Sequence, residues 1–238
     1  MCANVFVARR IRKYFFIFTP VQHIKNIIFD LGGVIYNIDY GLTEKAFAAL
    51  GIPAFRSHYS QHLQSDLFDR LETGKIPVRD FFNSIRSISG IPLSDNQIET
   101  AWNSMLLDLP AIRTDLLAKA RNNYRIFLLS NTNVIHISAV MNVLSKDDAY
   151  RRFFGLFEKV YFSFEVGMRK PNPDIFRHVL QQHGLNAAET LFIDDSRQHV
   201  EGAITAGLHA YHLQDLPLEV IMKDGIIQPS LQPHQPIS

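Results

Sequence analysis

The amino-acid sequence predicts an α/β fold: a doubly wound parallel sheet with an all-helical insertion after its first strand. Three observations carry this. Five short apolar runs recur along the chain, helical periodicity separates most of them, and the stretch from Leu42 to Leu109 shows helices without a strong strand.

The first run, Asn26–Asp30 (NIIFD), ends in an acid. It is followed by Arg125–Ser130 (RIFLLS), Lys159–Ser163 (KVYFS), Thr190–Asp195 (TLFIDD) and His209–Leu213 (HAYHL). Runs rich in aliphatic and aromatic residues, with polar or turn residues nearby, suit strands buried on both faces. Between them, Ala111–Asn122 places Ile112, Leu116, Leu117 and Ala120 on one helical face. Asn172–His183 starts after Pro171 and carries Ile175, Phe176, Val179 and Leu180, and Gln198–Ala206 links the last two strands. In the insertion, Leu42–Leu50, Ser57–Leu71, Val78–Ser87 and Asp95–Leu107 read as helices. Gly51-Ile52-Pro53, Gly74-Lys75-Ile76-Pro77 and Gly90-Ile91-Pro92 punctuate them, as glycine and proline do at helix ends. The expected organisation is an N-terminal extension at 1–24, a core at 25–40 and 110–225, a helical cap at 41–109, and a Pro/Gln-rich disordered tail at 226–238.

Composition bounds the function. The 238 residues are 47% hydrophobic and 20% charged, enough apolar material for a sizeable core. Lys and Arg total 24 against 23 Asp and Glu, so no basic field points to nucleic acid. The single cysteine, Cys2, excludes an internal disulfide and a thiolate metal site, and fits a cytoplasmic protein. Arg9, Arg10, Arg12 and Lys13 precede the apolar run Tyr14–Phe18. That run falls short of the ~7–15 residues a secretory signal needs, and no small-residue cleavage site follows it. The extension is therefore expected to pack loosely or not at all. Nothing approaches the ~18–20 apolar residues of a membrane span.

In an open parallel sheet, ligands bind beyond the carboxyl ends of the strands. The first strand ends at Asp30, before Leu31-Gly32-Gly33. The second ends at Ser130, before Asn131-Thr132-Asn133. The fourth ends at Asp194-Asp195, and Lys170 follows the third, at a helix start. Taken singly, Asp30 is a strand-end cap, Asp194-Asp195 a turn or helix N-cap, Ser130-Asn131 an ordinary turn, and Lys170 a solvated lysine. Together they suit phosphoryl transfer. A carboxylate can attack phosphorus, and a hard cation held by Asp30, the Gly32 carbonyl and the Asp194/Asp195 pair would screen the two anions. The glycines let the backbone turn tightly near phosphate, and Ser130, the Asn131 N–H and Lys170 could hold its oxygens.

IIFDLGGVI, LLSNTN, GMRKP and FIDDSRQHVEGA, in this order, resemble the four motifs of the haloacid dehalogenase-like hydrolase superfamily, over about Ile24 to Leu213. The nearest resemblance is to a subfamily of sugar-phosphate phosphatases. It implies a Rossmann-like sheet of order 5-4-1-2-3, with the cap closing over substrate. It implies a Mg2+-dependent phosphatase acting on a small phosphate ester, with Asp30 as nucleophile and metal ligand. Ser130, Asn131 and Lys170 would bind phosphate, with Lys170 also steadying Asp30. Asp195 would be the direct metal ligand, with Asp194 beside it. Two departures stand out. Gly32 occupies the place of a second Asp that usually serves as general acid/base, with Asp39 a possible substitute. His199 stands where relatives often carry Asn or Asp; it orients the Asp pair or faces solvent. In the cap, Phe68, Arg70 and Glu72 either face substrate or lie on a solvated helix face. The alternatives are a metal-independent 2-haloacid dehalogenase and a non-catalytic binding protein on the same fold. Trp102 and the phenylalanines are expected to be packing groups.

Overall fold

Ile27, Ile28 and Phe29 have no exposed surface, so the first apolar run is a central strand covered on both faces. A computed structural model describes residues 23–53, 55, 61–147, 149–214, 216–228 and 233. The expected extension up to residue 22 lies outside the described residues, as does most of the tail.

Strand β1 (Asn26–Phe29) pairs in parallel with β2 (Arg125–Ser130) on one side and β4 (Thr190–Asp194) on the other. Strands β3 (Lys159–Phe162) and β5 (His209–His212) close the edges, giving the order β3-β2-β1-β4-β5. This is the expected 5-4-1-2-3 order read from the opposite edge. Phe29 lies opposite Leu128 and Ile193, and the Asp30 N–H donates to the Ile193 carbonyl at 2.9 Å. The register thus brings Asp30 level with Asp194.

Between β1 and β2 run the cap helices α1 (Tyr40–Ala49), α2 (Gln61–Glu72), α3 (Val78–Ser89) and α4 (Asp95–Asn103), then α5 (Ala111–Ala120) of the core. After β2 come α6 (Val134–Leu144), α7 (Ala149–Phe154), α8 (Ser163–Val166), α9 (Pro173–His183), α10 (Arg197–Thr205) and α11 (Leu218–Ile221). The two faces of the sheet follow the period-2 alternation of strand side chains. Ile27, Phe29, Ile126, Leu128, Leu191 and Ile193 pack against α5 and α6. Ile28, Phe127, Leu129 and Phe192 pack against α9 and α10. The sequence VIHISAVMNVL of α6 is apolar nearly all round, which hides its helical period; Asn133 caps it by accepting from the Ile135 and His136 N–H groups. Ile112, expected on the buried face of α5, is 56% exposed, while Arg113 is buried beside Leu116 and Leu117. Arg113 reaches the Ile35 carbonyl and the Asn37 side chain, so hydrogen bonds rather than apolar contact decide which side of that turn faces inward.

The cap has its own core of Phe47, Phe55, Leu71, Phe81, Phe82, Ile85, Ile98 and neighbours. Phe47 and Phe55 stack at 3.9 Å, and Phe68 stacks on Trp102 at 5.1 Å, so these aromatics are packing groups. On its other side Trp102 stacks on His136 of α6, and Ile135 joins the cap cluster, tying cap to sheet. The two crossings between cap and core run side by side, with Asn37, Ile38 and Asp39 bonded to Asp108, Leu106 and Met105.

Two boundaries move. Ile24 is buried in the sheet's core, inside the segment expected to pack loosely. At the other end, β6 (Met222–Lys223) and β7 (Ile226–Ile227) form a hairpin whose Met222 and Ile227 are buried, so the fold continues past 226. A pair of apolar residues there finds core to cover it, which composition does not reveal. Among the described residues no helix is long and apolar enough to cross a membrane.

Candidate active site

The residues singled out at the strand ends converge. Asp30, Asp194 and Asp195 place one carboxylate oxygen each within 4.8 Å of the others. The Lys170 ammonium stands between two of them, 2.8 Å from Asp30 Oδ1 and 2.6 Å from Asp194 Oδ2, and donates also to the Leu129 carbonyl at 3.0 Å. It is wholly buried, as a lysine is only when its three donors are satisfied and its charge paired. The solvated-lysine reading is thus corrected.

Asn131 explains how Lys170 is held. Its side-chain oxygen accepts from the Lys170 N–H at 2.9 Å, and its side-chain nitrogen donates to the Lys170 carbonyl at 2.8 Å. The Asn131 side chain is therefore a clamp on the lysine's backbone. Ser130 is buried at the end of β2, where the register sets it beside Phe162. Asp194 accepts from the Ser196 N–H at 2.7 Å, and His199 Nδ1 lies 3.1 Å from both its oxygens. That contact puts the imidazole proton on Nδ1, leaving Nε2 to face the Asn131 amide at 3.4 Å. His199 thus orients Asp194 rather than facing solvent.

The glycine turn fits tightly. Gly33 has φ +76°, and a Cβ there would lie 2.1 Å from Asp195 Oδ2. Only glycine permits both the backbone and the approach of Asp195. At Gly32 a Cβ would meet Ile38 Cδ1 at 3.0 Å, so a side chain in the place of the missing second Asp would press on an apolar neighbour. Asp39 is spent capping α1, where it accepts from the Gly41 N–H at 2.8 Å.

The electrostatics single out the carboxylates that want a cation. Burial pushes Asp30 up to about 7 despite the pull of Lys170, with Asp194 and Asp195 adding to the rise. Asp195, open to the cleft, is raised by burial and by Asp194. Asp194 behaves oppositely: burial disfavours its charge, but Lys170 and His199 hold it down at about 2. Asp30 and Asp195 are therefore anions short of positive charge, and an oxygen-rich set of this kind suits a hard divalent cation.

From the cap, α2 reaches the same place. Arg169 forms ion pairs with Asp69 and with Glu72, the latter at 3.1 Å. Of the three cap residues noted in the sequence, Phe68 packs in the aromatic cluster, Arg70 is exposed, and Glu72 turns toward the core. The roles of Arg169 and Asp69 escaped sequence reasoning. Arg169 lies inside GMRKP, but only the fold reveals its partners.

This arrangement defines a capped α/β hydrolase with an acidic site at the strand ends. The chain belongs to the haloacid dehalogenase-like hydrolase family, whose sequence profile matches residues 24–207. It is similar to D-ribitol-5-phosphate phosphatase of Bacteroides thetaiotaomicron, 29% identical over 177 residues, 74% of this chain and 85% of the relative. It is also similar to a sesquiterpene phosphatase of Aspergillus oryzae, 26% identical over 196 residues, 80% of this chain and 90% of the relative. A solved structure of a family enzyme from Bacteroides thetaiotaomicron, in complex with magnesium and inorganic phosphate, superposes with a TM-score of 0.71. It is 38% identical, over 80% of this chain and 94% of that one.

Proposed function

We propose that this chain is a Mg2+-dependent phosphatase that hydrolyses a small phosphorylated polyol or sugar through an aspartyl-phosphate on Asp30. The single observation that carries the reading is the buried Lys170 between Asp30 and Asp194, with Asp195 open beside them. A binding protein has no need to hold a carboxylate against a buried ammonium at a cleft. The phosphatase relatives and the magnesium- and phosphate-bound neighbour support the same chemistry.

In this reading Asp30 attacks phosphorus and the ester oxygen leaves. Asp195, Asp30 and the Gly32 carbonyl hold the cation, with Asp194 completing the acidic wall. Bound there, Mg2+ supplies screening between nucleophile and phosphate and offsets charge on the phosphoryl oxygens. Lys170 aligns Asp30 and neutralises a non-bridging oxygen, while Ser130 and the Asn131 N–H bind the others. Water then attacks the aspartyl-phosphate, returning Asp30 and releasing phosphate. A 2-haloacid dehalogenase would bring a carboxylate substrate against Asp194 and Asp195, which disfavours that alternative.

The test is phosphate release from polyol phosphates, sugar phosphates, nucleotides and p-nitrophenyl phosphate, with Mg2+, with EDTA, and with Asp30→Asn. Turnover that needs Mg2+ and falls by at least ~10^4-fold in the variant is expected, the scale on which a lost nucleophile is felt. A folded protein with Mg2+ that releases phosphate from no ester would overturn the reading.

A further inference from the structure

We propose that Glu72, carried on the cap by α2, is the general acid and base of the reaction, giving a proton to the leaving oxygen and later taking one from the attacking water. The proposal rests on the phosphatase reading above and deepens it.

The need for such a group is structural. An alkoxide is a poor leaving group unless protonated as its bond to phosphorus breaks. The usual place for the acid is Gly32, which has no side chain to donate a proton and whose Cβ would press on Ile38 Cδ1 at 3.0 Å. The other nearby carboxyls among the described residues have other tasks. Asp39 caps α1. Asp194 is held by Lys170, Ser196 and His199. Asp30 is the nucleophile, Asp195 belongs to the acidic cluster, and Asp69, which shares Arg169 with Glu72, is nearly half exposed to solvent.

Glu72 differs from all of these. It is carried by the cap and pairs with Arg169, the residue that precedes Lys170. Its Oε2 lies 3.1 Å from Arg169 Nη2, yet that oxygen is buried and makes no hydrogen bond. Arg169 Nε is likewise buried without a partner. An acceptor and a donor left unsatisfied on one seam suit a hydroxyl-bearing group, which both gives and takes a hydrogen bond. Burial pushes the Glu72 carboxyl up to about 7, against the pull of Lys170 and with the help of Asp30. Glu72 therefore exchanges its proton near neutral pH, as an acid that must also act as a base requires. Tyr40, at the start of α1, is raised by burial and then by the charges of Asp30, Asp195 and Glu72. Helix α2 also packs on α3 and α8. There Arg79, Asp80 and Glu165 are exposed and Arg86 is held by Asp95.

The atoms balance. As Asp30 Oδ bonds to phosphorus and the ester P–O bond breaks, the Glu72 proton passes to the departing oxygen, leaving an alcohol and a Glu72 carboxylate. When water attacks the aspartyl-phosphate, its proton returns to Glu72 as the Asp30–phosphorus bond breaks.

Glu72→Gln and Asp69→Asn are compared with the unsubstituted protein on a polyol phosphate and on p-nitrophenyl phosphate, whose leaving group needs no proton. For Glu72→Gln, kcat/KM, which reads the leaving-group step alone, is expected to fall ~100-fold or more on the polyol phosphate and by less than about threefold on p-nitrophenyl phosphate, where the lost base shows instead as a burst of p-nitrophenol before slow turnover. The fall of polyol-phosphate kcat above pH ~7, where Glu72 has lost its proton, should vanish with it. Asp69→Asn disturbs the same arginine without the acid, and should change both substrates alike. Equal losses of kcat/KM on both esters in Glu72→Gln would reduce Glu72 to a cap contact and overturn the proposal, as would an unchanged kcat/KM on the polyol phosphate. Unsubstituted protein inactive on every ester would instead sink the phosphatase reading; p-nitrophenyl phosphate turnover tells the two failures apart.

Discussion

Lys170 and Asp194 form an ion pair of 2.6 Å in which neither side chain has any exposed surface. Asp194 closes strand β4 and Lys170 follows the third strand, so the pair bridges the sheet's carboxyl end. Its ammonium then has one further carboxylate contact, Asp30, at 2.8 Å. The position of Asp30, the proposed nucleophile, depends on a charge that the protein interior holds only because two anions surround it.

Replacing that ammonium tests the dependence. Lys170→Met leaves Asp194 and Asp30 buried without their counter-charge, which should destabilise the fold by about 3–5 kcal/mol at pH 7 without metal. Asp194 is depressed from 3.8 to about 2 in the folded protein. Its contribution is complete above pH 3.8 and lost as pH falls through 2. The gap between variant and parent should therefore narrow over that window. Urea unfolding with EDTA measures it, and a Lys170→Met protein as stable as its parent at pH 7 would contradict the pairing.

The glycine turn offers a sharper steric test. A methyl group at Gly33 would need the space of Asp195 Oδ2, 2.1 Å away, on a backbone with φ +76°. Gly33→Ala should lower stability by about 1–3 kcal/mol through the strained backbone alone. Displacement of Asp195 should weaken Mg2+ binding by about tenfold or more, as loss of a well-placed carboxylate does. Calorimetric titration with Mg2+ reads the second effect. Unchanged affinity would mean that Asp195 is not a ligand.

His136 makes a prediction about acid stability. It is buried, stacked on Trp102 at 5.1 Å, and its Nδ1 lies 2.8 Å from Asn103 Oδ1. Burial lowers it from 6.5 to about 3, so the folded protein keeps it neutral. Below pH 6.5 the unfolded chain takes up a proton that the folded one refuses. Stability should then fall by up to ~1.4 kcal/mol per pH unit from 6.5 toward 3. His136→Phe keeps a ring against Trp102 and removes that slope. Unfolding midpoints at pH 7, 6 and 5 should diverge between the two proteins, and parallel pH curves would refute the assignment.

Much of the candidate site was legible in the sequence because its parts are local. An apolar run ending in an acid, a glycine pair after it, and a paired acid after a later run each declare a strand end and a turn within a few residues. Parallel strands then bring their carboxyl ends to one edge, so Asp30, Ser130, Lys170, Asp194 and Asp195 needed only the alternation of strands and helices to be grouped. Helix α6 was not legible, since an element buried nearly all round shows no amphipathic contrast. The burial of Ile227 was not legible either, since two apolar residues declare nothing until a core lies beneath them.

Other features belong to the tertiary structure alone. Which acid pairs with Lys170, which is left open at the cleft, and which way His199 turns depend on sheet register and on distances of about 3 Å between elements far apart in the chain. The same holds for Arg169 meeting Asp69 and Glu72, and for the approach of Ile38 to Gly32. Sequence by itself determined the strand ends, the turn and the chemistry-bearing residue types, because short-range sterics and hydrophobic periodicity act within a few residues. Packing of the strand ends, with the cap beside them, decided charge, protonation and partners, because burial and Coulomb interaction depend on which distant groups share a volume that water has left.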